Sequence, residues 1–290
     1  MIKFTTYNIQ YGRGLDGRID LGRIADTVSD SDVIALQEVE RYFPRSGDID
    51  QVAELAGKLG GYHWVYGAGV DIDADDMSDD GTVRHRRRQF GNMLLSRQPI
   101  ITSRNHLLPK YASTGPLSIQ RSALEGVISF GARKIRVYSV HLTHISACTR
   151  MRQLHELLRI DREAVVEGGP IAGDASVTDF DQEVNLADMP AESILMGDFN
   201  FTPDSEEYTA VAGPVSDYGG RIVNPTGLID AWTHCGNSEM AGVTAERRGE
   251  GVRMDFCFVS YSLSDRIESC RIDSDAVGSD HKPFSVTFDL

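Results

Sequence analysis

The sequence is poor in cysteine and has no long apolar run, and each shortage excludes a class of protein. Only four cysteines occur among 290 residues, and their spacing fits neither a structural zinc site nor a disulfide framework. No apolar stretch approaches the roughly 18 to 20 residues that a membrane-spanning helix needs. We therefore expect neither a disulfide-rich scaffold nor a membrane span.

Positive charge is also scarce, because 29 Lys and Arg residues stand against 43 Asp and Glu, for a formal net charge of -14. Non-specific binding to a long polyanion depends on many cationic contacts with phosphate. Nucleic acid is therefore possible but not favoured as a partner, and a small or locally recognised phosphate ester suits the charge better. The N-terminus enters a strand pattern without a basic segment followed by an apolar one, which predicts a cytoplasmic protein.

A short apolar segment leads directly into polar residues near position 198. The run from Ile194 to Met196 predicts a buried strand that continues through Gly197 to Asp198 and Asn200. Side chains two positions apart lie on the same face of a strand, so the acid and the amide are expected to point together into a cleft. Phe199 is expected to point the other way, into the hydrophobic core. The alternative is a turn that caps the next helix.

Three earlier strands are predicted to end in the same way. The first ends near Asn8, the second runs from Val33 and delivers Glu38, and a later one carries His141. A carboxylate beside an apolar run is costly to bury, so Glu38 is either a surface residue at the solvent edge or a metal ligand. A hydrogen-bonded core histidine is the alternative for His141.

The last third of the chain repeats the pattern of polar residues beside apolar strands. Asp230 follows a short apolar run, where a helix cap is the alternative interpretation. Asp255 lies in an alternating strand on the same face as Arg253. Asp280 and His281 occupy a polar turn before the closing strand. These positions suggest one cleft at one edge of stacked sheets.

Strands alternate with helices at first and then follow one another as hairpins, with turns expected at 96–99 and at Gly131. This order predicts a layered α/β fold with mixed sheets rather than a doubly wound parallel sheet. Residues 1–290 are expected to form a single domain with loop insertions near 71–89 and 167–192. The first insertion joins an acidic half to the basic run from Arg84 to Arg88, as either a solvated loop or an anion-gathering flap.

The candidate residues have a consistent chemistry. Carboxylate and amide oxygens without cysteine suit a hard divalent cation such as Mg2+ or Mn2+. Histidines outside the ligand set can stabilise negative charge and transfer protons. This combination fits hydrolysis of a phosphate ester, in which a metal polarises the phosphoryl oxygen and a carboxylate aligns the attacking water.

Six motifs carry a family resemblance: Tyr-Asn-Ile, Leu-Gln-Glu-Val, Ser-Val-His-Leu, Gly-Asp-Phe-Asn, Arg-Met-Asp-Phe and Ser-Asp-His-Lys-Pro. In this order they resemble the endonuclease/exonuclease/phosphatase superfamily, which includes deoxyribonucleases, abasic-site endonucleases and neutral sphingomyelinases. The resemblance covers residues 2–290. It implies a four-layer α/β/β/α sandwich of two mixed β-sheets flanked by helices, and a Mg2+- or Mn2+-dependent phosphoric ester hydrolase without a covalent intermediate.

The resemblance also implies roles for the residues around the metal and the attacking water. Glu38 resembles the principal metal ligand, with Asn8 beside it and Asp280 as a further ligand. Asp198 resembles the acid that orients or deprotonates the nucleophilic water. Asn200 resembles the amide that holds a phosphate oxygen.

Further residues are expected on the phosphate side. His281 resembles the imidazole that stabilises the transition state, with Asp255 fixing its tautomer, and His141 resembles a second histidine that donates a proton to the leaving oxygen. Arg121 opens a strand and is either a second phosphate contact or a surface charge. Asp230 matches less sharply and is expected to support the site.

Three functions remain open. The first is a phosphoesterase that acts on a small or lipid-derived substrate. The segment around Thr202 looks like that of a broad bacterial group whose members also resemble sphingomyelinases. The second is a DNA or RNA nuclease, for which the basic run from Arg84 to Arg88 is the backbone-binding candidate. The third is a non-catalytic binding protein of the same fold. A monomer is expected in each case.

Overall fold

The computed structural model describes residues 1–173, 189–224 and 227–290. The helices are α1 (Leu21–Val28), α2 (Gln51–Lys58), α3 (Ala147–Glu167), α4 (Glu206–Ala212) and α5 (Ala231–His234). The strands are β1 (Ile2–Asn8), β2 (Val33–Arg41), β3 (His63–Asp73), β4 (Asp76–Met77), β5 (Val83–Arg84), β6 (Arg87–Ser96), β7 (Ile100–Leu107), β8 (Ser122–Phe130), β9 (Arg133–His141), β10 (Ser193–Asp198), β11 (Leu228–Asp230), β12 (Ala245–Arg247), β13 (Glu250–Val252), β14 (Asp255–Ser260), β15 (Ile267–Ile272) and β16 (Phe284–Phe288). Among the described residues, no helix is both long and apolar enough to cross a membrane.

Two large sheets form the centre of the fold. The first has six strands in the order β15-β16-β1-β2-β6-β3, and the second has six in the order β11-β14-β10-β9-β8-β7. Each sheet is mixed, because β1 pairs with β2 in parallel and with β16 antiparallel, while β10 pairs with β9 in parallel and with β14 antiparallel. The predicted pair of mixed sheets is confirmed.

Three of the apolar clusters among the described residues hold the layers together. The cluster between the sheets joins Phe4 and Leu94 of the first sheet to Ile135 and Met196 of the second. A second cluster packs α1 and α2 on the outer face of the first sheet, and a third packs α3 and α4 on the outer face of the second. Since both faces of each sheet are covered, β2 and β10 are apolar along their length rather than alternating. The four-layer α/β/β/α sandwich is therefore confirmed.

The turn at 96–99 is not a hairpin, and that prediction was wrong. β6 is already paired on one side with β2 and on the other with β3, so it has no free edge for β7. The chain instead crosses to the second sheet, where β7 pairs with β8. Local turn signals mark the end of a strand but do not reveal which edge is still free.

The segment expected as a loop at 71–89 is mostly a β-hairpin. β3 and β6 remain paired as far as Asp73 and Arg87, and β4 and β5 pair near the tip. The opposite charges of the two halves face each other across the hairpin, with Arg87 Nε 2.9 Å from Asp71 Oδ1 and His85 Nδ1 2.7 Å from Asp75 Oδ2. Most of the second expected insertion, 167–192, lies outside the described residues.

Candidate active site

Strand ends of both sheets meet at one edge of the sandwich. In the second sheet, Asp198 on β10 lies directly opposite His141 on β9 and Asp255 on β14. In the first sheet, Asn8 ends β1 beside β2, which carries Glu38. The side-chain amide of Asn8 connects the two sheets, because Nδ2 donates to Asp198 Oδ2 at 3.0 Å. Five predicted site residues are therefore adjacent.

Asp198 is the centre of this group. Its carboxylate accepts from the backbone N–H of Asn200 at 2.9 Å and from the side-chain amides of Asn200 at 3.1 Å and Asn8 at 3.0 Å. Nε2 of His141 lies 3.3 Å from Oδ2, and Nε2 of His281 lies 3.8 Å from it. Burial raises the pKa of Asp198 to about 7, against the opposing effect of His281.

Asn200 reaches Asp198 by a different route from the one expected. Asn200 has a φ of 56°, so the extended strand does not continue and the two side chains meet through a turn closed on the aspartate. Gly197 is required just before this turn, since a Cβ there would lie 1.9 Å from the carbonyl oxygen of Val140. Phe199 is fully buried, as expected, in an aromatic cluster in which its ring lies 5.0 Å from that of Phe258.

His281 and Asp255 form a hydrogen-bonded pair. Nδ1 of His281 lies 2.8 Å from Oδ2 of Asp255. Burial alone would lower the pKa of His281, but the carboxylates of Asp255 and Asp198 outweigh it and raise the pKa to about 10. The imidazole is therefore protonated at neutral pH, with its Nε2–H free to face an anion in the cavity.

Of the two alternatives for Arg121, the surface charge is wrong, and the phosphate contact stays a prediction. Arg121 is only 4% exposed, so it is not a surface charge, and its guanidinium contacts imidazoles: Nη1 lies 2.8 Å from Nδ1 of His141 and Nη2 lies 3.2 Å from Nδ1 of His144. A guanidinium only donates. Nδ1 of His141 must therefore accept, which places the proton of the neutral ring on Nε2.

The charge state of His141 follows from the same surroundings. Burial and the positive charge of Arg121 hold the pKa of His141 well below its usual range. His141 is thus a neutral hydrogen-bond donor whose Nε2–H points to Asp198 and lies 3.9 Å from Oε1 of Glu38. The two histidines face the same carboxylate in different protonation states.

A β-bulge directs Glu38 into the cavity. The pairing of β2 with β6 shifts register between Leu36 and Val39, and Glu38 has a φ of 61°, which non-glycine residues adopt only rarely. A bulge re-aims a side chain at such a point. The strand was expected to end near Glu38 but continues to Arg41. Burial raises the pKa of the Glu38 carboxyl.

The oxygen donors around Glu38 fit a hard divalent cation. The hydrogen bond from Asn8 Nδ2 to Glu38 is long, at 3.5 Å, so this half-buried carboxylate is only weakly compensated. Oδ1 of Asn8 accepts from the backbone N–H of Gln10, and Oδ2 of Asp280 accepts from Gln10 Nε2 at 2.8 Å. Gln10, which the sequence did not single out, thus connects the two other predicted ligands. Oxygen donors of this kind are those that Mg2+ prefers.

A second group of possible ligand atoms comes from Asp198, Asp255 and His281, which lie within 4.8 Å of one another. Two of these residues already share the 2.8 Å hydrogen bond between His281 and Asp255. A cation at this point would compete with that bond and meet a protonated imidazole. The group is better explained as a hydrogen-bonded cluster beside the oxygen donors of Glu38.

Asp230 belongs to a different part of the molecule. Its Oδ1 caps α5 by accepting from the backbone N–H of Trp232 at 3.0 Å. Its Oδ2 accepts from Arg253 Nη1 at 2.7 Å and from the hydroxyl of Tyr208 at 2.9 Å. It lines a separate cavity of about 560 Å³. Asp230 thus caps a helix, which was the alternative interpretation of its sequence pattern. It does not line the candidate active-site cavity, so it could affect that site only indirectly.

The active-site cavity has a volume of about 670 Å³. The predicted residues that line it are Glu38, Arg121, His141, Asp198, Asn200 and His281. No sequence motif indicated the other lining residues, which come from β3, β6 and the loops between the motifs: Phe43, Arg45, Val70, Ile72, Phe90, Leu117, Ile119 and His144. Asn8, Asp255 and Asp280 do not line the cavity themselves. Asn8 and Asp255 are hydrogen-bonded to the lining residues Asp198 and His281, and Asp280 directly precedes His281.

The basic run from Arg84 to Arg88 is largely engaged within the protein. Arg86 Nη1 lies 2.8 Å from Asp48 Oδ2, and Arg87 pairs with Asp71. Arg88 Nε donates to the carbonyl oxygen of Tyr42. These contacts reduce the positive charge that the hairpin presents to a phosphate backbone.

A strand-end arrangement of one buried carboxylate, two imidazoles and a group of oxygen donors, on a four-layer sandwich, is typical of metal-assisted phosphoester hydrolases. The chain belongs to the endonuclease/exonuclease/phosphatase family, whose sequence model matches residues 5–281. Enzymes of this family are generally phosphoester hydrolases and typically depend on a divalent metal. No curated protein matches the chain.

Solved structures with the same fold are distant in sequence. An endonuclease/exonuclease/phosphatase from Beutenbergia cavernae is 23% identical with a TM-score of 0.66, and the match covers 100% of this chain and 71% of that one. A mannosyl-6-phosphatase from Bacteroides thetaiotaomicron is 17% identical with a TM-score of 0.63, over 100% of both chains. A humanized D. rerio TDP2 is 18% identical with a TM-score of 0.61, over 100% of this chain and 99% of that one.

Proposed function

We propose that the protein is a Mg2+- or Mn2+-dependent phosphoesterase that hydrolyses a small or lipid-derived phosphate ester by in-line attack of water. The observation that carries the proposal is the position of Asp198, which lies between His141 and His281 and is joined through Asn8 to Glu38. One cavity thus combines a carboxylate for the water, donors for the phosphate and a candidate cation site.

The residues that would hold the cation are Glu38, Asn8 and Asp280. When bound, the ion would polarise a phosphoryl oxygen and help to neutralise the charge that develops on the phosphate. The chain provides oxygen ligands for this purpose without cysteine, which favours a hard cation over a soft one.

Asp198 is the group assigned to the attacking water. A general base works best when its pKa is close to the working pH, and burial brings the pKa of Asp198 to about 7. The donors from Asn8 and Asn200 fix the direction of the carboxylate. The carboxylate can therefore orient a water molecule and accept its proton near neutral pH.

Two imidazoles and one amide are assigned to the phosphate. Protonated His281 supplies positive charge and a hydrogen bond from Nε2, while Asp255 fixes its orientation. Neutral His141 supplies a hydrogen bond without charge, so His281 is the better proton donor of the two to a leaving oxygen. The side-chain amide of Asn200 lines the same cavity and would donate to the phosphate in exchange for one of its present hydrogen bonds, to Asp198 Oδ2 or to the carbonyl oxygen of Leu142. Such pre-oriented donors stabilise charge that develops in the transition state.

The nuclease is the weaker alternative. Its best argument was the basic run from Arg84 to Arg88, and those side chains are engaged with Asp48, Asp71 and the carbonyl of Tyr42. The net charge of -14 also opposes binding to a long polyanion. A binding protein without activity is less favoured still, because every residue of the proposed chemistry is in place.

The test is a panel of phosphomonoesters, phosphodiesters and plasmid and single-stranded DNA, assayed with Mg2+, with Mn2+ and with EDTA. We expect hydrolysis of a small ester that EDTA abolishes, and a loss of about 100- to 1,000-fold in Glu38→Ala. Asp217→Asn, at an exposed position outside the cavity, is the matched control. Activity that survives both EDTA and Glu38→Ala would exclude the mechanism.

A further inference from the structure

We infer that the leaving group of the substrate is apolar and uncharged and that it binds against one wall of the active-site cavity. The inference rests on the proposed phosphoesterase function and specifies its substrate class. The apolar wall is formed by Phe43, Val70, Ile72, Phe90, Leu117 and Ile119. No motif of the family resemblance includes any of these residues.

The apolar wall is assembled from separate segments around the polar end of the cavity. Phe43 follows β2, Val70 and Ile72 lie on β3, and Leu117 precedes β8. Ile72 is 49% exposed and Leu117 is 79% exposed, so their side chains are available at the mouth. Several apolar side chains beside convergent polar groups in one cavity are typical of a small-molecule site. The phosphate would lie at the polar end and the rest of the molecule along the wall.

The cations that line the cavity beyond the catalytic residues are already engaged. The guanidinium of Arg45 is hydrogen-bonded to Glu40 and lies 4.5 Å from the ring centre of Tyr11. Nδ1 of His144 accepts from Arg121, and burial and Arg121 lower its pKa. Neither Arg45 nor His144 therefore offers an uncompensated positive charge to a second phosphate. Arg121 also lines the cavity, but its guanidinium is buried against His141 and His144 at the polar end, where the first phosphate would lie. A nucleotide or polyphosphorylated leaving group would remain poorly neutralised.

A sugar leaving group suits the apolar wall no better. Hydroxyl groups that lose water without gaining hydrogen-bond partners carry a desolvation cost, and the six wall side chains offer no such partners. An alkyl, acyl or aryl group gains from the same contact, by roughly a factor of four for each buried methylene. The geometry thus selects an apolar alcohol or phenol as the product.

The experiment compares esters of primary alcohols that differ in polarity. Values of kcat/KM are measured with Mg2+ for n-hexyl phosphate, methyl phosphate and mannose 6-phosphate, and for the corresponding methyl diesters. We expect n-hexyl to exceed both others by at least about tenfold. In Leu117→Asn and Ile72→Asn, the ratio of n-hexyl to methyl is expected to fall about fivefold or more. Met77→Asn is the matched control, at an exposed position of the same hairpin outside the cavity lining.

A binding measurement separates this inference from the proposed function. Calorimetry of n-hexylphosphonate and methylphosphonate with the metal-loaded protein is expected to give tighter binding of the hexyl compound, weakened in Leu117→Asn. Equal affinities, or a preference for mannose 6-phosphate that Leu117→Asn leaves unchanged, would overturn the apolar wall while phosphoester hydrolysis stands. Absence of hydrolysis with every ester would overturn the proposed function, and the calorimetry would still decide the inference.

A second, independent observation concerns Cys235 and Cys270, whose sulfur atoms lie 2.8 Å apart. This is closer than unbonded thiols usually approach, and the geometry points to an intramolecular disulfide site. Cys235 follows α5, next to the edge strand β11 of the second sheet, while Cys270 lies on β15, the edge strand of the first. The bond would join the two sheets at one edge, a pairing that cysteine spacing did not suggest.

The oxidation is a two-electron step with peroxide as the oxidant. Two thiols and one hydrogen peroxide give one disulfide and two waters: the S–S bond forms, the O–O bond breaks and both thiol protons pass to water. The reaction needs a thiolate. Burial raises the pKa of both thiols, so we expect faster oxidation at alkaline pH.

The test treats the full-length protein with hydrogen peroxide, followed by alkylation and peptide mass spectrometry. We expect a Cys235–Cys270 cross-linked peptide and a rise in Tm of about 5 °C or more, both absent in Cys270→Ser. Cys148→Ser, at an exposed cysteine, is expected to behave like the wild type. No cross-linked peptide after oxidation at alkaline pH, or cross-links through other cysteines, would overturn the pairing.

Discussion

Two buried aspartates that follow short apolar strands have opposite surroundings. Asp230 accepts hydrogen bonds from the Arg253 guanidinium, the Tyr208 hydroxyl and the start of α5. Asp198 accepts from neutral amides and faces a cavity, and burial raises its pKa to about 7. The sequence pattern at the two positions is similar, and the difference lies in the partners that distant segments supply.

The comparison separates a structural carboxylate from a reactive one. The carboxylate of Asp230 is hydrogen-bonded to Arg253, Tyr208 and the backbone of α5, and its charge is neutralised by Arg253. It is therefore poorly available to bind a ligand. No cationic side chain in the described part of the chain is within hydrogen-bond contact of Asp198, and the protonated imidazole of His281 lies 3.8 Å from its Oδ2. We expect substitutions at the first position to change stability and substitutions at the second to change turnover.

The largest effect is expected for Asp198→Asn. The amide keeps the shape of the side chain but cannot accept the proton of water, so kcat should fall by at least about 100- to 1,000-fold. The unfolding temperature should change little, because the variant also removes a carboxylate charge that is costly to bury. Steady-state kinetics and thermal unfolding measure the two quantities. A variant that keeps more than a tenth of the wild-type kcat would show that Asp198 is not the base.

Asp230→Asn is expected to show the reverse behaviour. It leaves Arg253 buried without its counter-charge, and breaking a buried pair of this kind costs about 3–5 kcal/mol of unfolding free energy. The value of kcat per folded molecule should remain close to that of the wild type. Urea unfolding and active-site titration measure these changes. Normal stability with lost turnover would instead place Asp230 in the catalytic site.

A smaller effect is expected for Arg121→Met, which tests the protonation difference between the two histidines. Without the guanidinium, the Nε2–H tautomer of His141 is no longer imposed and its pKa should rise. We expect kcat to fall about 10- to 100-fold, with partial recovery in Arg121→Lys. Nitrogen-15 NMR of the histidine rings reports the tautomer directly. An unchanged His141 spectrum in Arg121→Met would refute this positioning role.

A further effect is expected in the pH dependence of stability of the metal-free protein. The pKa of His281 is raised from its ordinary 6.5 to about 10. Its stabilising contribution is therefore complete below about pH 6.5 and is lost as the pH rises through about 10. Asp255→Asn should flatten this part of the curve, as measured by urea unfolding between pH 6 and pH 10.5. A variant curve parallel to the wild type would argue against the His281–Asp255 pair.

Much of the fold could be predicted because its signals are local. Apolar runs such as 33–36 and 194–196 occur where both faces of a sheet are covered, and they identify the central strands. The destination of β7 could not be predicted, because it depends on which sheet edge remains free. The hairpin at 71–89 was also missed, since its polar composition resembles a loop until the charges of its two strands are paired.

The candidate site likewise contains residues that could be predicted from the sequence and residues that could not. Glu38, Asp198 and His281 lie in short motifs, so the sequence could identify them as candidates, and the structure places all three in one cavity. The partner of Arg121 could not be predicted, because His141 is brought to it by the pairing of β8 with β9. The apolar wall was missed for the same reason, since its residues come from segments without motifs.

The hydrogen bond from Asn8 to Asp198 spans 190 positions of the chain. The group that would activate water is thus oriented from the opposite sheet, and neither half of the polypeptide contains a complete set of reacting groups. A chain cut between β6 and β7 separates Asn8 and Glu38 from Asp198 and both histidines. The two fragments should be inert alone and regain turnover only when they reassemble. Enzymatic rate would then report directly on how well the two halves dock.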